Sequence, residues 1–173
     1  MSDKLKVKSL TDLPDYLFTT LGRVVVYSGH IEYALALTIK RTTSLSWDAA
    51  HEKVQDLHDN RKIRNEATTC FNTWADAKLE ADDAQNRKDD FSKLIARVEA
   101  LFKCRADVVH CAWSGSDESD TTATRKGKLL RDENNIPFGV PQLNKLADKL
   151  FEVSARINEL TEPDLVSFQK EDG

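Results

Sequence analysis

Glycine and proline are scarce: 173 residues hold six Gly and four Pro. A turn-dense all-β chain needs more of both, so the long Gly-poor stretches point to helices. Three cysteines, Cys70, Cys104 and Cys111, make an odd number for a secreted disulfide framework. Cys104 and Cys111 stand seven apart on an expected helix, which separates their Cα atoms by about 10 Å, beyond disulfide reach. All three read as core or near-core thiols. Apolar runs such as Val24-Val25-Val26-Tyr27 fall far short of the roughly 20 residues that cross a bilayer. The opening residues MSDKLKVK lack the apolar segment and cleavage site of a signal peptide, so a cytoplasmic location without a membrane partner is expected. A basic excess is also missing, with 25 Lys+Arg against 29 Asp+Glu and a net charge of −4. That balance disfavours a protein that coats duplex nucleic acid or an anionic membrane, and leaves room for a local basic site.

At 40% hydrophobic and 31% charged residues, the composition is that of a folded globular chain. The length fits a single domain over 1–173, with flexible tails expected at 1–10 and 164–173. Apolar residues recur every three or four places over 12–41 (Leu17, Leu21, Val24, Ile31, Leu35, Ile39), which predicts a long first helix. A second row, including Phe18, Val25, Val26, Tyr33, Ala36 and Leu37, makes that helix apolar over much of its circumference, so it is either central in its own bundle or shared with another subunit, and self-association is expected. Ser46 is a candidate cap for a helix over 47–58, and a third helix is expected over 63–84, its end dissolving into the polar run 80–90. Phe91, Leu94, Ile95, Val98, Leu101, Phe102, Val108, Val109 and Ala112 trace a fourth helix, ended near Trp113 by Gly115. Residues 114–124 read as a loop. The region 114–140 is expected to be an irregular or hairpin insertion, with a turn at Asn134-Asn135. A last helix runs from Pro141 to Pro163 through Leu143, Leu146, Leu150, Val153 and Ile157. The predicted fold class is all-α, a bundle of about five helices with a small insertion before the last.

On the stripe of the fourth helix, position 105 is Arg. A guanidinium there must be paired or hydrogen-bonded, because an uncompensated buried charge costs several kcal/mol. Glu32, beside the apolar row of the first helix, is the candidate partner, and a buried Arg105–Glu32 pair that fixes helix register is the purely structural alternative.

His110 follows Arg105 by five residues in the string Arg105-Ala106-Asp107-Val108-Val109-His110. This resembles the R-x4-6-H motif of the HEPN family (higher eukaryote and prokaryote nucleotide-binding domains), as does the layout of an all-α chain with an acidic residue on an early helix and the motif on a later one. The resemblance implies a metal-independent endoribonuclease, commonly a homodimer that joins two motifs across the interface. Arg105 and His110 would be its catalytic pair, RNA its substrate, and a toxin or defence system its setting, with a cognate antitoxin or other protein as partner. The family also contains inactive members that serve as scaffolds or as nucleotide- or partner-binding modules. The family pattern places Asn, Asp or His directly after the Arg, whereas this chain has Ala106 there and Asp107 one place on.

On an ideal helix, positions 105 and 110 lie about 140° apart, so convergence needs a long Arg side chain, a frayed helix end or a second subunit. Asp107 and His110 are i,i+3 neighbours, which would let the carboxylate orient the imidazole. Trp113 is a candidate for base stacking or for packing at the helix end. Arg125, Lys126, Lys128 and Arg131 form a basic string that either grips an RNA backbone or is merely a solvated loop. His51 and His58, with Glu52 and Asp56 nearby, lack metal-ligand spacing and read as a solvated helix face; no metal and no cofactor are expected. There is no Gly-rich phosphate loop, nucleophile elbow or dinucleotide fingerprint.

Overall fold

The computed structural model describes residues 14–57, 59–115 and 118–162. Both expected flexible tails lie outside or at the edge of these: 1–10 and 164–173 are not among the described residues. Five helices carry the fold, α1 (Asp15–Thr43), α2 (Trp47–Leu57), α3 (Asn60–Lys78), α4 (Ala81–Val109) and α5 (Val140–Thr161). Between α4 and α5 lie three short strands, β1 (Ala112–Ser114), β2 (Thr122–Arg125) and β3 (Lys128–Leu129). The chain is all-α with a small insertion before the last helix, as its patterning predicts. It divides into two compact units, one taking the chain up to Val26 together with Lys103–Asp148, the other taking Tyr27–Phe102 together with Lys149 onward.

The second unit is a helical bundle. Its core draws Ile31, Leu35 and Ile39 from α1, Ala50 from α2, Ala67 and Phe71 from α3, Phe91 and Val98 from α4, and Leu150, Val153 and Ile157 from α5. The rings of Phe71 and Phe91 stack with centroids 4.3 Å apart and planes 16° apart. Surface pairs tie neighbouring helices: Lys53 to Glu66 between α2 and α3, Lys88 to Asp76 at 2.6 Å between α4 and α3, and Arg97 to Glu152 at 2.9 Å between α4 and α5.

Local chemistry sets the helix ends. Ser46 Oγ accepts from Ala49 N, the expected cap of α2. Asp59 caps α3 by accepting from Arg61 N. The polar run 80–90 is not the dissolving end of α3, as its polarity suggests, but the opening of α4. Leu79 takes an extended conformation at φ −113°, ψ 157° and ends α3. Glu80 O then accepts the first helical bond from Ala84 N. Asp82 and Asp83 occupy the first turn, where the helix dipole favours carboxylates. Ala84, at 3% exposure, gives this stretch its buried contact.

The first unit holds the start of α1, the end of α4, the sheet and the start of α5. Leu17, Val24, Val108, Ala123, Phe138, Leu143 and Ala147 are buried there. Arg23 on α1 donates to Asn144 Oδ1 at 2.9 Å and to Asp148 Oδ1 at 2.7 Å on α5. Tyr16 and Thr121 share a hydroxyl hydrogen bond at 2.8 Å. The strands pair antiparallel in the order β1-β2-β3, with Trp113 opposite Ala123 and Arg125 opposite Lys128. The two-residue turn between β2 and β3 is Lys126-Gly127, with φ of 50° and 74°. Two successive positive φ values match the right-handed twist of the flanking strands. Asn134-Asn135, where the sequence points to a turn, does form one: Asn135 has φ 67°, and Arg131 bridges to Pro137.

A Cβ on Gly127 would meet nothing within 4 Å, so its requirement is conformational. Gly127→Ala is therefore expected to cost about 1 kcal/mol, the penalty for placing an L side chain in the left-handed region, read as a lower urea midpoint at unchanged m.

Candidate functional site

The residues singled out in the sequence gather at the C-terminal end of α4, and the sheet decides how they are used. Arg105 lies on α4 between the buried Leu101 and Val108 and is itself half-buried. Its Nε is sealed from solvent with no hydrogen-bond partner, and the guanidinium forms no ion pair among the described residues. Glu32 is half-buried on α1 and belongs to the other unit.

His110 is the first residue beyond α4 and is exposed. Its backbone N–H donates to Ala106 O at 3.2 Å, continuing the helical ladder, while its imidazole has no hydrogen-bond partner among the described residues. Asp107 is directed elsewhere. Its Oδ1 accepts from Nη1 of Arg125 on β2, so the carboxylate neutralises a sheet cation and makes no hydrogen bond to His110. Both side chains are more than a third exposed, and such a surface pair contributes at most about 1 kcal/mol.

The chain leaves α4 through three bonds to one carbonyl. Val108 O accepts from Cys111 N at 3.4 Å, from Cys111 Sγ at 2.9 Å and from Trp113 Nε1 at 3.3 Å. These satisfy part of the unpaired C-terminal carbonyl set of the helix, which explains why α4 stops at Val109 and not near Trp113. They also commit the Trp113 indole N–H to the helix end and leave the ring half-buried. Ser114 joins β1, so 114–124 is not a plain loop. Gly115, expected as the helix terminator, lies beyond β1 at φ 143°, where a Cβ would sit 2.5 Å from Thr121 Cα. The signal missed in the sequence is the pairing of Cys111 and Trp113 as a helix cap, since neither is a customary capping residue.

Of the basic string, Arg125 pairs with Asp107, and Lys126 and Lys128 stand exposed at the hairpin tip. Arg131 donates to Asn135 O at 2.8 Å within its own turn. The Arg125–Asp107 contact places the hairpin cations beside the last turns of α4. His51 contacts Gln55 at 2.9 Å on the exposed face of α2, and His58 lies outside the described residues. Among the described residues, no three His, Cys, Asp or Glu side chains are grouped to hold a metal ion, and no helix is long and apolar enough to cross a membrane.

Burial pushes the Cys111 thiol up to about 11. The folded state therefore holds the proton while an unfolded thiol ionises near its ordinary value of about 8.5. Stability contributed by this group is present below about pH 8.5 and is lost as pH rises towards about 11. Alkylation of native protein with iodoacetamide at pH 8 is expected to leave Cys111 unmodified under conditions that label it in urea, as read by peptide mass spectrometry.

No family model, curated protein or solved structure matches the chain.

Proposed function

We propose that this chain is a metal-independent endoribonuclease of the HEPN type, acting as a homodimer with Arg105 and His110 as its catalytic pair. The observation that carries the reading is the lack of commitment of both groups. Arg105 has no ion-pair partner and the exposed His110 imidazole no hydrogen bond among the described residues, while the intervening acid, Asp107, is taken by Arg125. A half-buried structural Arg would be expected to hold a protein partner.

An imidazole is suited to remove the proton from a ribose 2′-hydroxyl. The 2′ oxygen then attacks phosphorus, the bond to the 5′ oxygen breaks, and a proton passes to the leaving oxygen. The products are a 2′,3′-cyclic phosphate and a 5′-hydroxyl. Arg105 would brace the phosphate with a charge-assisted contact as negative charge builds on its oxygens. Because one imidazole cannot be acid and base at once, a second copy of His110 supplied by a partner subunit fits the chemistry. On α1 of the first unit, Phe18, Val25 and Val26 are 44%, 47% and 54% exposed, an apolar surface that suits such self-association. Lys126 and Lys128 would add local attraction for the RNA backbone on an otherwise acidic chain. A role as a toxin or defence component in the cytoplasm, held by an antitoxin or other partner, belongs to the same proposal.

The second reading is a catalytically inactive dimeric module of the same type. It is favoured by Ala106, where the family pattern has a polar residue, and by the sealed Nε of Arg105. Arg105→Ala separates the two. The nuclease reading expects a loss of RNA cleavage of about 10²–10³-fold with a melting temperature within a few degrees of the parent. The inactive module expects no cleavage by either protein.

A further inference from the structure

Ile63, Ala67, Phe71 and Ala75 of α3 are buried in the second unit, and one cation is buried with them. Arg64 is 8% exposed, and its guanidinium makes no hydrogen bond or ion pair among the described residues. Unlike Arg105, it has no nitrogen sealed from solvent, so the buried stem ends in a head that reaches an opening. An arginine that merely buries its stem keeps its head in water, whereas little water reaches this one at 8% exposure. A buried charge without a counter-ion is costly to keep.

Helical side chains lean toward the N-terminus of their helix, which carries the Arg64 head back over Asn60 and Arg61, its neighbours four and three residues earlier on the same face. Arg61 is exposed and Asn60 half-buried, and neither side chain holds a partner among the described residues. The acids of this region are committed. Asp59 Oδ1 accepts from Arg61 N at 2.7 Å as the cap of α3, and Glu66 accepts from Lys53 and from Cys70 Sγ at 3.5 Å. The first turn of α3 holds no acidic side chain and carries Arg61 and Lys62, cations set against the positive end of the helix dipole. An anion is the partner this arrangement lacks.

We propose that Arg64, Asn60 and Arg61 bind a phosphate dianion, either free phosphate or the phosphate of a phosphorylated protein side chain. Guanidiniums and a helix N-terminus suit such a group, and the Asn60 amide adds N–H donors. Charge selects a monoester or the free ion. The three cations Arg61, Lys62 and Arg64 outweigh the Asp59 carboxylate by an excess that matches the charge of about −1.5 to −2 on a phosphoserine at pH 7, whereas a nucleic-acid diester carries a single charge. Residues 60–67, the first two turns of α3, include no aromatic side chain on which a base could stack. The site shares no residue with the Arg105 and His110 pair, so the proposal does not rest on the cleavage reading.

The test titrates the full chain by calorimetry, at constant ionic strength, with sodium phosphate, an alanine-flanked phosphoserine peptide, its unphosphorylated twin and a 2′-O-methyl hexa-adenylate without a terminal phosphate. Saturable binding of phosphate and of the phosphopeptide is expected, with no binding of the twin and at least tenfold weaker binding of the hexa-adenylate. A phosphopeptide that binds more tightly than phosphate identifies a protein side chain as the source, and one that binds equally or more weakly identifies the free ion. Arg64→Met, which keeps a packed stem, should weaken phosphate binding at least tenfold. It should also melt no lower than the parent in phosphate-free buffer, because the unpaired charge is gone, and lose the rise in melting temperature that phosphate gives the parent. Arg61→Ala, at an exposed residue, should weaken phosphate binding at least threefold and keeps the test decisive if the first variant does not fold. Absence of phosphate binding at millimolar concentration, affinity unchanged in Arg61→Ala, or hexa-adenylate binding as tight as that of phosphate overturns the proposal.

Discussion

Phe71→Ala is expected to lower stability by about 3–5 kcal/mol, the usual range for emptying a buried phenylalanine site. Phe71 and Phe91 are both fully buried and stack at 4.3 Å, joining α3 to α4 at the centre of the second unit. Truncation removes the transfer free energy of the ring, the stacking with Phe91 and the packing of the cavity walls. Domains are stable by only about 5–15 kcal/mol, so one substitution removes roughly a fifth or more of the margin. At about 2–4 °C per kcal/mol for chains of this size, the melting temperature should fall by about 6–20 °C. Phe71→Leu, which keeps most of the volume, should recover more than half of the loss. A melting temperature within 2 °C of the parent for Phe71→Ala would show that the stack is not in the core.

His110→Ala is expected to do the reverse, abolishing activity and sparing the fold. Removing a general acid or base costs about 10²–10⁴-fold in rate. The side chain is exposed and makes no hydrogen bond among the described residues, so stability should change by no more than about 0.5 kcal/mol. Asp107→Asn distinguishes the role of the neighbouring acid. Asp107 is bonded to Arg125, so this change should loosen the hairpin with a far smaller effect on rate than His110→Ala. A rate loss as large as that of His110→Ala would mean that Asp107 serves the imidazole after all.

The helices are legible wherever apolar residues recur at three or four. The expected 47–58 becomes Trp47–Leu57 with Ser46 as its cap, and the helix expected from Pro141 begins at Val140. Legibility fails where one small side chain does the packing. Between Glu80 and Asp90, Ala84 is the buried apolar residue, and a lone alanine carries no periodic signal, so the start of α4 reads as polar connector. β1 is hidden for a different reason. Ala112-Trp113-Ser114 is three residues long and exists because it pairs with Thr122–Thr124, a partner set by chain return and not by local preference.

The candidate site was legible as a location and not as a set of contacts. Arg105 and His110 are near neighbours in the chain, so any helix through Val108 places them at the same end of that helix. Asp107 shows the limit. Its i,i+3 spacing to His110 suggests one partner, while the β2 strand brings Arg125, 18 residues away, to take the carboxylate. A charged residue between a helix and a sheet edge answers to whichever cation the fold delivers, and that is decided by the hairpin turn at Lys126-Gly127. Trp113 likewise spends its N–H on the end of its own helix and keeps its ring half-buried, which leaves less of it for base stacking.

The central claim is that Arg105 and His110 cut RNA without a metal. The most direct measurement incubates purified chain with labelled single-stranded RNA in excess chelator and identifies the ends of the fragments. The parent is expected to leave 2′,3′-cyclic phosphate and 5′-hydroxyl ends, and His110→Ala to yield at least about 100-fold fewer fragments. Intact RNA, or equal cleavage by parent and variant, would contradict it.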